Sequence, residues 1–457
     1  MAPIDLRAFI RLLEEHGHLC RIKVCVDPYL ELATVVDRAV KLQDGGPGLL
    51  FEQVRGTKLP VAANLLGSPE RISLALATRG LSALSERLAT DLAATGQKAP
   101  GEALAAVLDT LAHRTVATLP PLWRGNSDDV LTLEDFPAVT AWPDDGGPYL
   151  TMAQVFSRDP DSAENNCGMY RVQLHGPRMA TVRFRPGSDG GRHLAAWHAR
   201  KQAMPVALVL GGPPALAWAA GAPLPAGISE VDFSSYLVGE PMAMSPCQTC
   251  DLSVPSLAEI VIEGEIAPGA RHRDGPFGNH TGSYDVEAFA PVLRVLAVHQ
   301  RPEAIFPWTL VGPPPQENIA MARAAAMLLL PLLQLAVPSV RQLHMPNEGI
   351  FHRVAFITLE SGDDRPLAVI AEQLWGTDLL KGARMLVLGA EDQEAHDPSA
   401  VFWRVLNRVD WQRDLLVAGE RLAVDARRVR GTSVQGDPRV VAQVLSRWDE
   451  YGITTSH

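Results

Sequence analysis

NNCGMYRVQLHGPRMATVRFRPGSDGG, residues 165–191, holds two β-favouring runs, 169–174 and 179–184, joined by the turn set His175-Gly176-Pro177, and so predicts a β-hairpin. It carries Asn166 and Arg171. Five residues apart on an extended chain, their side chains take opposite faces unless a bulge or the Gly168 turn intervenes. One face is then free for a metal or phosphate and the other for a carboxylate. A second segment, DGPFGNHTG at residues 274–282, is a glycine-punctuated loop. Its Asp274, Asn279 and His280 are residue types that orient ligands or move protons, and Gly275, Gly278 and Gly282 let backbone come close to a flat ligand.

A chain of 457 residues is too long for one ordinary core. Upstream of the hairpin, Asp5 caps a helix whose Leu6, Phe9, Ile10 and Leu13 keep helical spacing and which Gly17 can end. Strands over 19–26, 48–54 and 59–66 alternate with a helix over 29–42 and another opened by Ser68-Pro69-Glu70, which makes an α/β unit. The Ala-rich residues 89–121 end in Leu119-Pro120-Pro121 and lead into a linker. From 135 to 307, short strands between Gly, Pro and Asp turns predict a β-rich domain, interrupted by helices near 192–202 and 214–220.

Downstream, residues 324–340 predict a buried helix followed by a turn. Pro331, Gln334 and Pro338, with Arg323 and Arg341 at the ends, make that stretch short and poorly suited to crossing a bilayer. Strands over 354–359 and 384–388 follow, and residues 438–451 predict an amphipathic helix with Val440, Val441, Val444, Leu445 and Trp448 on one side. Such a helix can close its own domain or dock on a neighbouring subunit. Glu348, His352 and Arg353 suggest a polar edge to this part.

The formal charge of −11, from 41 Lys and Arg against 52 Asp and Glu, disfavours nucleic acid as a partner, because phosphate binding needs clustered positive charge. Asp5, Glu14 and Glu15 interrupt the apolar run an export signal needs, and five cysteines are sparse for the length. Both features predict a cytoplasmic location. Neither GxGxxG after a strand, nor a P-loop, GxSxG or HExxH is present, so Rossmann, NTPase, hydrolase-elbow and zincin chemistry lack their parts. Cys247-Gln-Thr-Cys250 has no second pair or neighbouring His in the sequence and reads as two small core or loop thiols.

Strings in a fixed order along the whole chain, NCGMYRVQL, PLPAGISE, CDLSVPSLAEIVIEGEI, DGPFGNHTG, VGPPPQEN and DPRVVAQVLSRWDEYGI, resemble the UbiD-type reversible decarboxylases that use prenylated flavin mononucleotide (FMN). The resemblance implies an α/β and α+β multidomain chain: an N-terminal α/β domain over 1–118, a split β-barrel that holds the flavin over 119–310, and a C-terminal α/β domain over 311–457 ending in the amphipathic helix. It implies prenylated FMN bound by Thr151, Asn166, Met169, Tyr170, Arg171, the Pro225-Ala226 turn, Glu230 and Arg421, with Asn166 and Glu230 as ligands of Mn²⁺ or Mg²⁺ and K⁺ as a further candidate ion. Each has a plainer reading: Asn166 as a turn residue, Glu230 in the first turn of a helix begun by Ser229, Arg171 in a structural ion pair, Arg421 on the surface beside Arg427 and Arg428. The family's partners, a carboxylic acid, further copies of the chain and a flavin prenyltransferase that supplies the cofactor, are implied with it.

Two departures from the family stand out. Where the family has a third metal ligand, a histidine, this chain has Pro186-Gly187-Ser188-Asp189-Gly190-Gly191. Asp189 is a hard oxygen donor for that place, with Ser188 or solvent as alternatives, while His193 is close but on the following helix. The family also pairs Arg171 with an acid, here Asp274, and uses a second acid five positions on, where this chain has Asn279. An amide cannot serve as the acid, so the proton falls to Asp274, to His280 or to a water held by Asn279. The expected activity is non-oxidative decarboxylation of an aromatic or α,β-unsaturated acid; the alternative is a non-catalytic flavin-binding homologue or assembly subunit.

Overall fold

Tyr170 and Arg171 alone connect two strands, Asn165–Met169 and Val172–Leu174, that stand near opposite ends of one sheet. The sheet order is Tyr149–Leu150, Val172–Leu174, Met179–Val182, Ala288–Gln300, Ile260–Asp274, Met204–Leu210, Gln154–Arg158, Asn165–Met169. Laid flat, the connected pair would lie about 28 Å apart at roughly 4.8 Å per strand, and a two-residue link spans at most about 10 Å. The sheet must therefore curl until its ends meet, and the computed structural model shows that curled half-barrel. The structure describes residues 2–110, 120–123, 131–185, 187–286, 288–350, 353–391, 393, 395–428 and 436–452. His352 lies outside them.

The hairpin expected from the sequence exists as Val172–Leu174 against Met179–Val182, in the register Val172 to Val182. Asn165–Met169 is not its extension. It pairs instead with Gln154–Arg158, so Asn166 and Arg171 are separated by the seam of the half-barrel and not by alternation along one strand. The apolar run Met204–Leu210 follows from burial on both faces. Val206, Leu208 and Leu210 join the barrel core with Val155, Val172 and Ile262, while Ala207 and Val209 pack outward with Leu216, Val254 and Val261.

Ahead of the barrel, Asp5 Oδ1 accepts from Ala8 N at 2.7 Å and Ser68 Oγ from Arg71 N at 3.3 Å, the two caps the sequence announces. The strands Leu19–Ile22, Gly48–Phe51 and Val61–Ala63 form a sheet that Phe306–Trp308 completes by pairing in parallel with Val61–Ala63, after the chain has left the barrel. The single buried helix expected over 324–340 is two helices, Glu317–Leu328 and Leu330–Ala336, bent by 50° at Leu329. Pro331, which lacks an N–H, sits in the first turn of the second. Among the described residues no single helix is long and apolar enough to cross a membrane.

The C-terminal sheet runs Val340–His344, Val354–Leu359, Met385–Ala390, Arg421–Asp425, Leu415–Ala418. It shares one core with the N-terminal helices through residues such as Leu13, Leu88, Leu333, Ile357 and Leu386. The last helix is Pro438–Ser446, followed by a 3₁₀ turn over Trp448–Tyr451, and it buries no residue within this chain.

The 274–282 loop is held against the barrel by Trp142. Its Nε1 donates to the Val311 carbonyl at 2.7 Å. The ring lies between Gly278 and Gly312, where an added Cβ would meet ring carbons at 2.1 and 2.4 Å. Gly278→Ala is therefore expected to cost about 1–3 kcal/mol through overpacking, measured by chemical denaturation. Gly382→Ala, where an added Cβ meets nothing within 4 Å, is the control expected to change little.

Candidate active site

The long strand Ile260–Asp274 ends at the barrel rim and delivers Asp274 fully buried beside the seam. Arg171 meets it there. Its Nη2 and Nε donate to Asp274 Oδ1 at 2.6 and 3.2 Å, and its guanidinium lies over the Phe277 ring, 4.5 Å from the centroid. The second oxygen of Asp274 accepts from Thr181 Oγ1 at 3.0 Å. Burial alone would lower the Arg171 pKa, but Asp274 and Asp285 together keep it raised.

Asp285 is the residue the sequence reading missed. Phe277–Gly278 and Tyr284–Asp285 form a two-stranded ribbon in the register Phe277 to Asp285, closed by a turn in which Gly282 N donates to the Asn279 carbonyl at 3.1 Å. The ribbon folds Asp285 back onto the loop. Its Oδ2 accepts from Arg171 Nη1 at 2.6 Å and its Oδ1 from Asn279 Nδ2 at 2.6 Å. Arg171 thus stands between two carboxylates, Asp274 with a side chain 0% exposed and Asp285 with one 38% exposed. A reading of Gly282 as a hairpin turn would have brought Asp285 opposite Phe277.

Asn279 Oδ1 accepts from His280 N at 2.6 Å, so the amide is held at both ends. The His280 ring bonds the Gly312 backbone, and burial, with Arg185 adding to it, lowers its pKa to about 4. At neutral pH His280 is therefore an uncharged ring.

On the other side of the seam, Asn166 is 5% exposed and its Nδ2 donates to Ser157 Oγ at 3.4 Å. Ser157 Oγ also bonds His193 Nδ1 at 3.0 Å. Glu230 joins this group through the Cys167 N–H, which donates to Glu230 Oε2 at 2.9 Å. Burial pushes the Glu230 carboxyl up to about 8, and among the described residues no basic side chain pairs with it.

Asp189, the oxygen donor expected here, lies near enough for its charge to act on Glu230 and His193. It opens the helix Asp189–Ala199 and its carboxylate is bound by Arg192. One turn later His193 points inward, 1% exposed, with its Nε2 buried and unpartnered. A buried carboxylate without a counter-charge and a buried imidazole nitrogen without a partner fit a divalent cation.

The remaining candidates divide. Tyr170 is buried at the seam, its hydroxyl accepting from Gly190 N at 3.2 Å, and Met169 ends the strand just before it. Thr151 is taken up by the backbone of Thr309, donating to its carbonyl at 2.6 Å and accepting from its N–H at 3.0 Å. Ala226 is an exposed turn residue just past the buried Pro225, ahead of the Glu230 helix. Arg421 belongs to the C-terminal sheet, where it donates to the Lys381 carbonyl at 2.9 Å and covers the Trp375 ring.

Models of three domains of 3-octaprenyl-4-hydroxybenzoate carboxy-lyase match in order: the N-terminal domain over residues 10–89, the Rift-related domain over 117–314 and the C-terminal domain over 319–433. The chain belongs to the UbiD family. Uncharacterized proteins of Archaeoglobus fulgidus and Aquifex aeolicus are each 33% identical to it, over 91% and 98% of this chain and 86% and 93% of theirs. An evolved dimeric form of the UbiD-class enzyme HmfF from Pelotomaculum thermopropionicum, solved with prenylated FMN, is 26% identical and superposes with a TM-score of 0.81 over 97% of this chain and 99% of that one. Vanillic acid decarboxylase of Sedimentibacter hydroxybenzoicus in closed form shares the fold, with a TM-score of 0.85 at 21% identity over 99% of this chain and all of that one.

If Asn166, Glu230 and His193 hold a cation, Glu230→Gln is expected to lower retention of added flavin while changing the melting temperature of the flavin-free protein little. Equal flavin retention by Glu230→Gln, with no metal found by elemental analysis, would remove these residues from the cofactor site.

Proposed function

We propose that this UbiD-family chain is a non-oxidative decarboxylase of an aromatic or α,β-unsaturated carboxylic acid, working with prenylated FMN. The observation that carries the reading is Arg171 held between Asp274 and Asp285 beside a buried group fitted for a divalent ion. Prenylated FMN, when bound, supplies the electron sink for the charge left on an sp² carbon as CO₂ departs. Asn166, Glu230 and His193 would hold a divalent ion such as Mn²⁺ or Mg²⁺ at the cofactor phosphate. In this reading Asp189 and Arg421 take no direct part.

The chain's own chemistry is the return of a proton. Arg171 holds Asp274 and Asp285 by hydrogen bonds, and Asn279 holds the other oxygen of Asp285. Loss of CO₂ from a carboxylate consumes one proton, which bonds to the carbon that lost it. Asp285, being partly exposed, can take that proton from water and deliver it; Asp274, sealed from solvent, cannot be recharged in the same way. Asp285 thus does the work that a second acid does in the family, from the opposite strand of the ribbon.

The substrate partner is a small carboxylic acid, the cofactor comes from a flavin prenyltransferase, and the chain works as a homo-oligomer. Val440, Val441 and Leu445 on the last helix, 55%, 45% and 65% exposed, favour a second copy as what covers them. CO₂ release by the flavin-loaded protein from cinnamate-like, hydroxybenzoate-like and heteroaromatic acids tests the activity. Release from at least one class is expected. Release from none, with flavin bound in full, would favour the non-catalytic homologue.

A further inference from the structure

The Cys247-Gln-Thr-Cys250 loop connects the strands Met244–Pro246 and Ser253–Pro255, and Cys247 N closes it by donating to the Leu252 carbonyl at 2.8 Å. The fold sets this loop over Glu263, whose side chain is fully buried at a bulge of the Ile260–Asp274 strand. Gln248 N donates to both its oxygens at 2.9 Å, and Thr249 N and Oγ1 donate to Oε2 at 2.6 and 2.7 Å. These bonds crowd Oε2 and leave Oε1 the freer atom. The sulfurs of both cysteines and a carboxylate oxygen of Glu263 all lie within 4.8 Å of one another.

A second, independent observation stands behind Glu263. His299 Nε2 is buried and its near neighbour is Glu263 Oε1 at 3.4 Å, a long contact that leaves the nitrogen poorly satisfied. Trp123 packs on the His299 ring at 5.3 Å and fixes it from the far side. His299 is also the one basic residue paired with this buried carboxylate among the described residues. Two thiols, a carboxylate and an imidazole nitrogen, gathered where among the described residues no arginine or lysine pairs with the carboxylate, form the donor set of a thiophilic cation.

We propose that Cys247, Cys250 and Glu263 bind a zinc-class divalent ion, with His299 as the fourth ligand or as the group that orients Glu263. A zinc ion with bonds of about 2.3 Å to sulfur needs its sulfurs roughly 3.8 Å apart, so the loop has little distance to close. Thiolate donors select such an ion over Mg²⁺ or Mn²⁺, which sets this site apart from the oxygen-rich group at Glu230. Binding displaces the two thiol protons, so affinity falls as pH falls. The ion would pin the 244–255 hairpin onto the barrel, over the apolar cluster that contains Cys167, whose N–H holds Glu230.

The test uses the full-length protein, purified reduced and titrated with Co²⁺. A near-ultraviolet thiolate-to-cobalt band is expected, saturating at one equivalent, abolished by Zn²⁺ and by the Cys247→Ser/Cys250→Ser double variant, and unchanged in Glu230→Gln. In wild-type protein, Zn²⁺ is expected to protect Cys247 and Cys250 from alkylation, read by peptide mass spectrometry, which needs no variant to fold. No thiolate band, a band that survives in the double variant, or a Cys247–Cys250 disulfide that forms in place of metal binding would each overturn the proposal.

Discussion

Asp274→Asn is expected to lower turnover by about 10²–10⁴, the range that acid–base groups command, while leaving the protein folded. The asparagine keeps the shape, and Arg171 retains Asp285 as its counter-charge. Arg171→Ala should be worse in a distinguishable way. It strands Asp274, whose side chain is wholly buried, without its partner, and removing one member of a buried pair costs about 3–5 kcal/mol. Turnover and stability should therefore fall together for Arg171→Ala and separate for Asp274→Asn. Wild-type rates in Asp274→Asn would remove the pair from the chemistry.

Asp285→Asn is the second large effect expected, again about 10²–10⁴ in rate, with substrate binding and flavin content changed little. It also distinguishes the proton donors. If His280 or Asp274 supplied the proton, losing Asp285 would only loosen Arg171 and Asn279. Restoring an acid from the other strand gives the converse: Asn279→Glu in the Asp285→Asn background is expected to recover activity. The same Asn279→Glu change in wild-type protein sets two carboxylates against each other, raises the pKa of one, and gains nothing. A large gain in that single variant would mean that the wild-type chain lacks a working donor.

Much of this site was legible because its residues lie in two short strings. Arg171 and Asp274 are 103 residues apart, and the family resemblance was needed to place them together, since no periodicity reports a contact across a seam. Asp285 was hidden by a turn. Its partner Asn279 lies six residues away, but two strands of two residues each leave almost no alternation to detect. His193 was set aside for standing on a helix, yet Asp189 heads that helix and faces Arg192, while the residue one turn later faces the core.

The break between the helices of 317–336 is marked in sequence only by Pro331, which a helix tolerates in its first turn, so one helix and two read alike. Arg421 was assigned from the resemblance alone; in the structure its guanidinium donates to the Lys381 carbonyl and lies over the Trp375 ring.

If Asp285 returns a proton to the carbon that loses CO₂, hydrogen exchange reads that step without requiring net turnover. Flavin-loaded protein in D₂O is incubated with the decarboxylated products of the same three acid classes. The wild-type chain is expected to exchange deuterium into one of them at the carbon that bore the carboxylate, and Asp285→Asn is expected to do so at least about a hundredfold more slowly. Equal exchange by Asp285→Asn, or no exchange by wild-type protein with its flavin bound, would contradict it.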